Sequence, residues 1–250
     1  MPLILPVDDA VSWPVDEGVI GVVGVAPWAT IDFLRALYLQ VAAEKDWHYP
    51  RVLCDINTKL PSRGRHLQLG ERDPSPFIAE TIAELAHQGA SLVVVPCNTA
   101  HILYPAWAAD APVAVPSIVQ ASVAAVAGAS GQVAVFASRS VYQHGLYEKA
   151  LSAAGLSMAV LSTQQIALVD ALIAAVKVAG HVPLELLPQV ESLLAGLAER
   201  GVGALILGCT ELAELAPLGR RHLSCVVDSN AALARAALLG IGMQPSSGDA

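Results

Sequence analysis

Two cysteines stand out by type and by spacing. Cys97 opens the segment CNTAH (97–101), and Cys209 opens CTELAEL (209–215). Each directly follows a short apolar run, LVVVP (92–96) or LILG (205–208), and each lies eight residues after a glycine, Gly89 or Gly201. A cysteine at the carboxyl end of a buried strand sits where parallel sheets bind their ligands. A helix beginning there, with Asn98, Thr99 or Thr210 as capping candidates, would lower a thiol's pKa and hold a carboxylate on its free N–H groups. Two such thiols on opposite sides of one carbon suit stereochemical inversion: one removes the proton and the other delivers one to the opposite face. The other two cysteines, Cys54 and Cys225, lie within or at the end of apolar runs and are assigned to the core as small hydrophobes.

The elements that must position these thiols alternate. Runs rich in β-branched residues are VIGVV (19–23), RVLCDI (51–56), SLVVVP (91–96), PVAV (112–115), QVAVFA (132–137), MAVL (158–161), GALILG (203–208) and CVV (225–227). They are apolar throughout, as expected of strands covered on both faces. Helical spacing fills Thr30–Ala43, Pro76–His87, Ile118–Ala127, Tyr142–Ala153, Gln165–Val178 and Leu184–Ala198. The alternation predicts α/β architecture with mainly parallel sheets.

The chain also repeats itself. The two cysteines are 112 residues apart, and at about that interval QVAVFA follows VIGVV and SCVVDS (224–229) follows PVAVPS (112–117). Self-similarity at a fixed interval indicates duplication. The expected fold is two similar α/β domains related by a pseudo-twofold axis, with the active site in the cleft between them. The first lobe takes residues 18–117 with about 229–240, and the second takes 118–228. Residues 1–17 form an N-terminal extension, and the turn-rich end, PSSGDA (245–250), makes 241–250 a loose tail.

Composition narrows the classes. With 250 residues, 54% hydrophobic and 14% charged, the chain is no disordered protein. A net charge of −8 argues against nucleic acid as a partner. Four cysteines make no disulfide framework. Residues 111–138 carry no charge, but Pro112, Pro116, Gly128 and Gly131 break that stretch into buried strand and helix, so no membrane span is expected. Asp8 and Asp9 interrupt the first apolar stretch, which lacks the basic start of a secretory signal; cytoplasmic residence is the default.

VVVPCNTAH (93–101) and LILGCTEL (205–212), in this order and at this separation, resemble the aspartate/glutamate racemase superfamily, most closely its aspartate racemase branch. LPSR (60–63), GLYEKAL (145–151) and AAVKVAG (174–180) resemble further segments of that branch, and the similarity covers about residues 18–237. The resemblance implies cofactor-independent racemisation of an acidic amino acid, aspartate before glutamate, by two cysteine bases, and a homodimer. By position, Cys97 and Cys209 are the acid/base pair. Asn98, Thr99 and Thr210 match residues that bind the α-carboxylate, and Arg63 and Lys177 match those that hold the side-chain carboxylate.

The residues give independent support. Lys59, Arg63, Arg65 and Arg72 cluster in a loop after the second strand, and arginine can grip a carboxylate with two hydrogen bonds. Lys177 could equally pair with its own helix C-terminus, and Asp170 could compete for it. Two loops depart from the branch's pattern. GVAPWAT (24–30) stands for Gly-Gly-Met-Gly-Pro-x-Ala-Thr, one residue shorter and with Trp28 added. Ser138-Arg139-Ser140-Val141 stands for Thr-x-Gly-Thr: Ser138 keeps a hydroxyl for the substrate, Val141 loses one, and Arg139 adds a cation. His101 and Glu211 either tune the thiols or hydrogen-bond locally. Cys97, His101, Cys209 and Glu211 are familiar metal-ligand types, but no CxxC pair accompanies them, and no metal is expected.

Related chemistries in the superfamily are maleate isomerisation, hydantoin racemisation and malonate decarboxylation; Arg63 with Lys177 favours an acidic amino acid over a hydantoin. A non-catalytic two-lobed binding protein would need neither thiol. A redox protein would pair Cys97 with Cys209 as a reversible disulfide.

Overall fold

The computed structural model describes residues 17–246. All but the last residue of the expected N-terminal extension, and residues 247–250 of the expected tail, lie outside the described residues.

Among the described residues, six strands form two parallel three-stranded sheets. The first contains β1 (Ile20–Gly24), β2 (Val52–Ile56) and β3 (Leu92–Val94), in the order β2-β1-β3. The second contains β4 (Gln132–Phe136), β5 (Val202–Leu207) and β6 (Cys225–Asp228), in the order β4-β5-β6. The runs PVAV and MAVL, expected as strands, are reduced to single bridges, Leu92 with Ala114 and Val133 with Met158. With those bridges counted, both sheets have the same four-position order. Ala114 occupies the place of β6, and Met158 the place of β2. Each half has thus worn down one edge of the duplicated sheet.

The helices are α1 (Pro27–Leu39), α2 (Arg63–Leu69), α3 (Ser75–His87), α4 (Tyr104–Ala108), α5 (Ile118–Ala125), α6 (Arg139–Gln143), α7 (Leu146–Ala153), α8 (Thr163–Ala179), α9 (Leu187–Glu199), α10 (Ala216–Arg220) and α11 (Ser229–Gly240). They cover both faces of the central strands, so β1 and β3 are wholly buried and β5 nearly so. One apolar core runs beneath both sheets, joining Ile20, Val22 and Phe33 to Val133, Val135, Ile206 and Leu233. The cleft therefore has a continuous packed floor.

Several expectations are corrected. The basic segment after β2 is helical: the Ser62 side chain accepts from the Arg65 N–H and starts α2. The single helix expected over 142–153 is two, because Gly145 adopts φ +60 between α6 and α7, a conformation glycine takes without strain. Cys54 is exposed and Cys225 half-buried, since β2 and β6 are edge strands. Residues 241–246 are not loose. Ile241 is buried, Met243 packs against the core, and the Ser246 N–H donates to the Gln40 carbonyl.

Candidate active site

Both singled-out cysteines line one cavity of about 490 Å³ at the carboxyl ends of the two sheets. Cys97 follows β3 through Val95 and Pro96, and Cys209 follows β5 through Gly208. The two sheets thus bring together thiols that are 112 residues apart.

The turns after the thiols are 3-10, over Thr99–Leu103 and Thr210–Leu215. Neither has a side-chain cap, so the capping roles expected of Asn98, Thr99 and Thr210 are not played. Asn98 is instead locked in place: its Oδ1 accepts from the buried Tyr147 hydroxyl (2.7 Å), and its Nδ2 donates to Ser229 Oγ (3.0 Å). Thr99 Oγ1 lies 3.1 Å from Ser138 Oγ, a link between the two halves. Thr210 turns its hydroxyl to Glu211 Oε2, 3.2 Å away.

His101 holds backbone. Its Nε2 accepts from the Ile118 N–H (3.2 Å), which leaves the proton on Nδ1 to donate to the Cys97 carbonyl (2.9 Å). Burial lowers its pKa to about 4, with the Cys97 carbonyl opposing the shift, so the ring is neutral near pH 7. With both nitrogens engaged, His101 braces the turn that carries Cys97 and is not free to ligate a metal.

Cys209 has the opposite surroundings. It is 6% exposed, and its thiol donates to Glu211 Oε2 at 3.0 Å. Burial pushes its pKa well up, the Glu211 charge and hydrogen bond add to this, and Lys177 opposes it. The lowering expected from a helix N-terminus does not prevail, because desolvation of a thiolate outweighs the partial charge of one 3-10 turn. Lys177 Nζ lies 3.8 Å from Glu211 Oε1, so Lys177, Glu211 and Cys209 form a chain along one wall.

Arg63, the first residue of α2, reaches the cavity from the other lobe. Its Nη2 donates to the Val25 carbonyl (3.1 Å) and its Nη1 to Pro61 (3.4 Å). Its Nε is buried with no acceptor among the described residues. Arg139 is already committed: its backbone N–H and Nε bind the two Asp170 carboxylate oxygens, both at 3.1 Å. Asp170 therefore does not compete for Lys177. Arg65 pairs with Glu71, and Arg72 stacks on Phe77; neither lines the cavity.

Sequence reasoning missed four supporting residues. Tyr147 and Ser229 clamp Asn98, and Gln68 Nε2 donates to Ser140 Oγ across the cleft mouth (3.0 Å). Asn230 Nδ2 bridges the carbonyls of Thr210 (3.3 Å) and Ala29 (3.5 Å). Ser229 carried a signal as the repeat of Ser117, and Tyr147 as part of the segment GLYEKAL.

Residues 20–237 match the family described as Asp/Glu/hydantoin racemase. The chain belongs to this family. Its fold is shared with an aspartate racemase from Picrophilus torridus at 22% identity and TM-score 0.81, covering 92% of this chain and 96% of that one. An aspartate racemase homologue from Pyrococcus horikoshii matches at 20% identity and TM-score 0.72, covering 89% and 99%. A glutamate racemase from Bacillus anthracis matches at 21% identity and TM-score 0.63, covering 93% and 85%. The protein accordingly belongs with the racemases, a class of isomerase. Among the described residues no helix is long and apolar enough to cross a membrane.

Proposed function

We propose that this racemase inverts Cα of an acidic amino acid, aspartate first and glutamate second, by two-base proton transfer between Cys97 and Cys209. One observation carries the reading: two thiols from matching strand ends of a duplicated sheet line a single cavity. Cys209, held protonated by burial and by Glu211, acts as the acid while Cys97 takes the Cα proton. In the reverse direction Cys209 abstracts and Cys97 delivers. Asn98, Thr99, Ser138 and Thr210 surround the α-carboxylate, where hydrogen-bond donors stabilise the carbanion as charge spreads onto it. The unpaired Nε of Arg63 and the ammonium of Lys177 receive the side-chain carboxylate from opposite lobes.

The lobe boundaries proposed are 18–117 with about 229–240, and 118–228. Sheet membership supports that division for the strands. The resemblance supports a homodimer.

The test is incubation with a panel of L-amino acids in deuterium oxide. Solvent deuterium at Cα together with the D enantiomer is expected for aspartate or glutamate alone. Deuterium in neutral amino acids at equal rates, or in none of the panel, would refute the substrate assignment.

A further inference from the structure

The loop between β1 and α1, with the first turn of α1, is one of two places where this chain departs from the pattern its motifs resemble, and it touches Arg63, Asn230 and the end of α8. The Val25 carbonyl holds Arg63 Nη2 at 3.1 Å. The Ala29 carbonyl is joined through Asn230 to the Thr210 carbonyl, one residue from Cys209. Thr30 closes the loop on itself, its hydroxyl donating to the Ala26 carbonyl at 2.7 Å.

The third contact belongs to Trp28. Its indole lies on Gly180, the residue that ends α8 at φ +77. A Cβ built on Gly180 would come within 2.9 Å of Trp28 Cε2 and 3.1 Å of Cζ2. That is closer than carbon atoms pack, so a side chain at 180 would push the indole from this seat. α8 carries Lys177 one turn before this contact. Arg63 and Lys177 come from different lobes, yet both are referenced to the same five residues, 25–29. The indole is 41% exposed and lies outside the buried core, so a packing role within its own lobe does not account for it.

We propose that Trp28 is a positioning residue: seated on Gly180, it holds the Lys177 end of α8 at a set distance from Arg63 and thereby sets the length of acidic substrate that both cations reach. This rests on the racemase reading with Arg63 and Lys177 as the carboxylate-binding pair. A meeting point fixed from both lobes discriminates by length, because a carboxylate one methylene nearer to or farther from Cα no longer lies where both cations reach it.

The experiment compares Trp28→Ala, Trp28→Phe, Gly180→Ala and the Trp28→Ala/Gly180→Ala double variant, with aspartate and glutamate as substrates. Trp28→Ala is expected to raise KM for the preferred acid about tenfold, the equivalent of one charge-assisted hydrogen bond, with kcat little changed. It should narrow the ratio of kcat/KM between the two acids, and Trp28→Phe should restore both. Thermal unfolding of the four-member cycle reads the contact without using activity. Gly180→Ala should cost more in the native background than beside Trp28→Ala, where only the backbone strain at positive φ remains. Additive unfolding shifts, or an unchanged KM and ratio in Trp28→Ala, would overturn the proposal. If the native protein racemises neither acid, the functional reading fails on its own. Calorimetric binding of both acids then decides the positioning role, and equal affinities for native and Trp28→Ala protein would end it.

Discussion

At the scale of single residues the two thiols are chemically unlike. Cys97 is half-buried at a turn braced by a neutral histidine. Cys209 is buried and donates its proton to a carboxylate that Lys177 partly neutralises. A carboxylate beside a thiol favours the thiol over the thiolate, so Glu211→Gln should lower the Cys209 pKa. Thiolate absorbance titrated in a Cys54→Ser/Cys225→Ser background reads that shift directly; an unmoved or higher pKa would show that burial alone sets it. In the proposed two-base mechanism, Glu211 would also accept the proton that Cys209 sheds before abstracting one. The variant should therefore lose about 1.5–3 kcal/mol of transition-state stabilisation in kcat/KM. The loss must be equal for the two enantiomers, because their equilibrium constant is one. Unequal losses would indicate an assay not measuring racemisation.

At the scale of elements, α11 is capped by a carboxylate at a cost. Asp228 accepts from the Asn230 N–H at the start of the helix, and burial pushes its carboxyl up to about 6 even though that bond and the Ala231 N–H oppose the shift. In the unfolded chain an aspartate titrates near about 4. Below that pH the carboxyl is protonated in both states and its ionisation does not affect stability. As the pH rises from about 4 through about 6, the unfolded chain ionises freely while the folded chain must hold a desolvated charge, and stability is lost. Asparagine caps a helix as well as aspartate does and carries no charge. Asp228→Asn is therefore expected to stabilise the protein at pH 8 by on the order of 1–3 kcal/mol, a gap that closes by pH 4. Denaturant midpoints at the two pH values measure it. A gap that persists unchanged at pH 4 would remove ionisation as its cause.

At the scale of the whole molecule, the two matching sheets bring two strand-end cysteines beside one cavity. The Cα–H bonds of two enantiomers point to opposite faces, so each should lose its proton to a different thiol. Cys97→Ala and Cys209→Ala are both expected to abolish useful racemisation, a loss of about 10²-fold or more for a proton-transfer group. Each variant should retain Cα deuterium exchange for one enantiomer, and the two should prefer opposite ones. Cys54→Ala, on an exposed edge strand, and Cys225→Ala should remain active. Racemisation near the native rate by either single variant at 97 or 209 would overturn the two-base mechanism. Exchange of the same enantiomer by both would mean that the thiols do not flank the substrate.

The sequence by itself determined the pieces governed by local pattern. Apolar runs gave five strands close to their observed bounds and a shortened sixth, and the 112-residue interval gave the duplication. The motifs around Cys97 and Cys209, both beside one cavity, were also legible, because strand end and turn are neighbours in the chain. Tertiary structure decided what each polar side chain is paired with. Arg139 and Asp170 are 31 residues apart, Lys177 and Glu211 are 34, and Trp28 and Gly180 are 152. No periodicity encodes such pairs. They depend on how two lobes close over a common core, and a charge seen in sequence is identical whether its donor has no acceptor among the described residues, as at Arg63 Nε, or is already matched, as at Arg139. The thiol pKa was misjudged for the same reason: proximity to a turn is written in the chain, whereas the desolvation that outweighs it is produced only by packing.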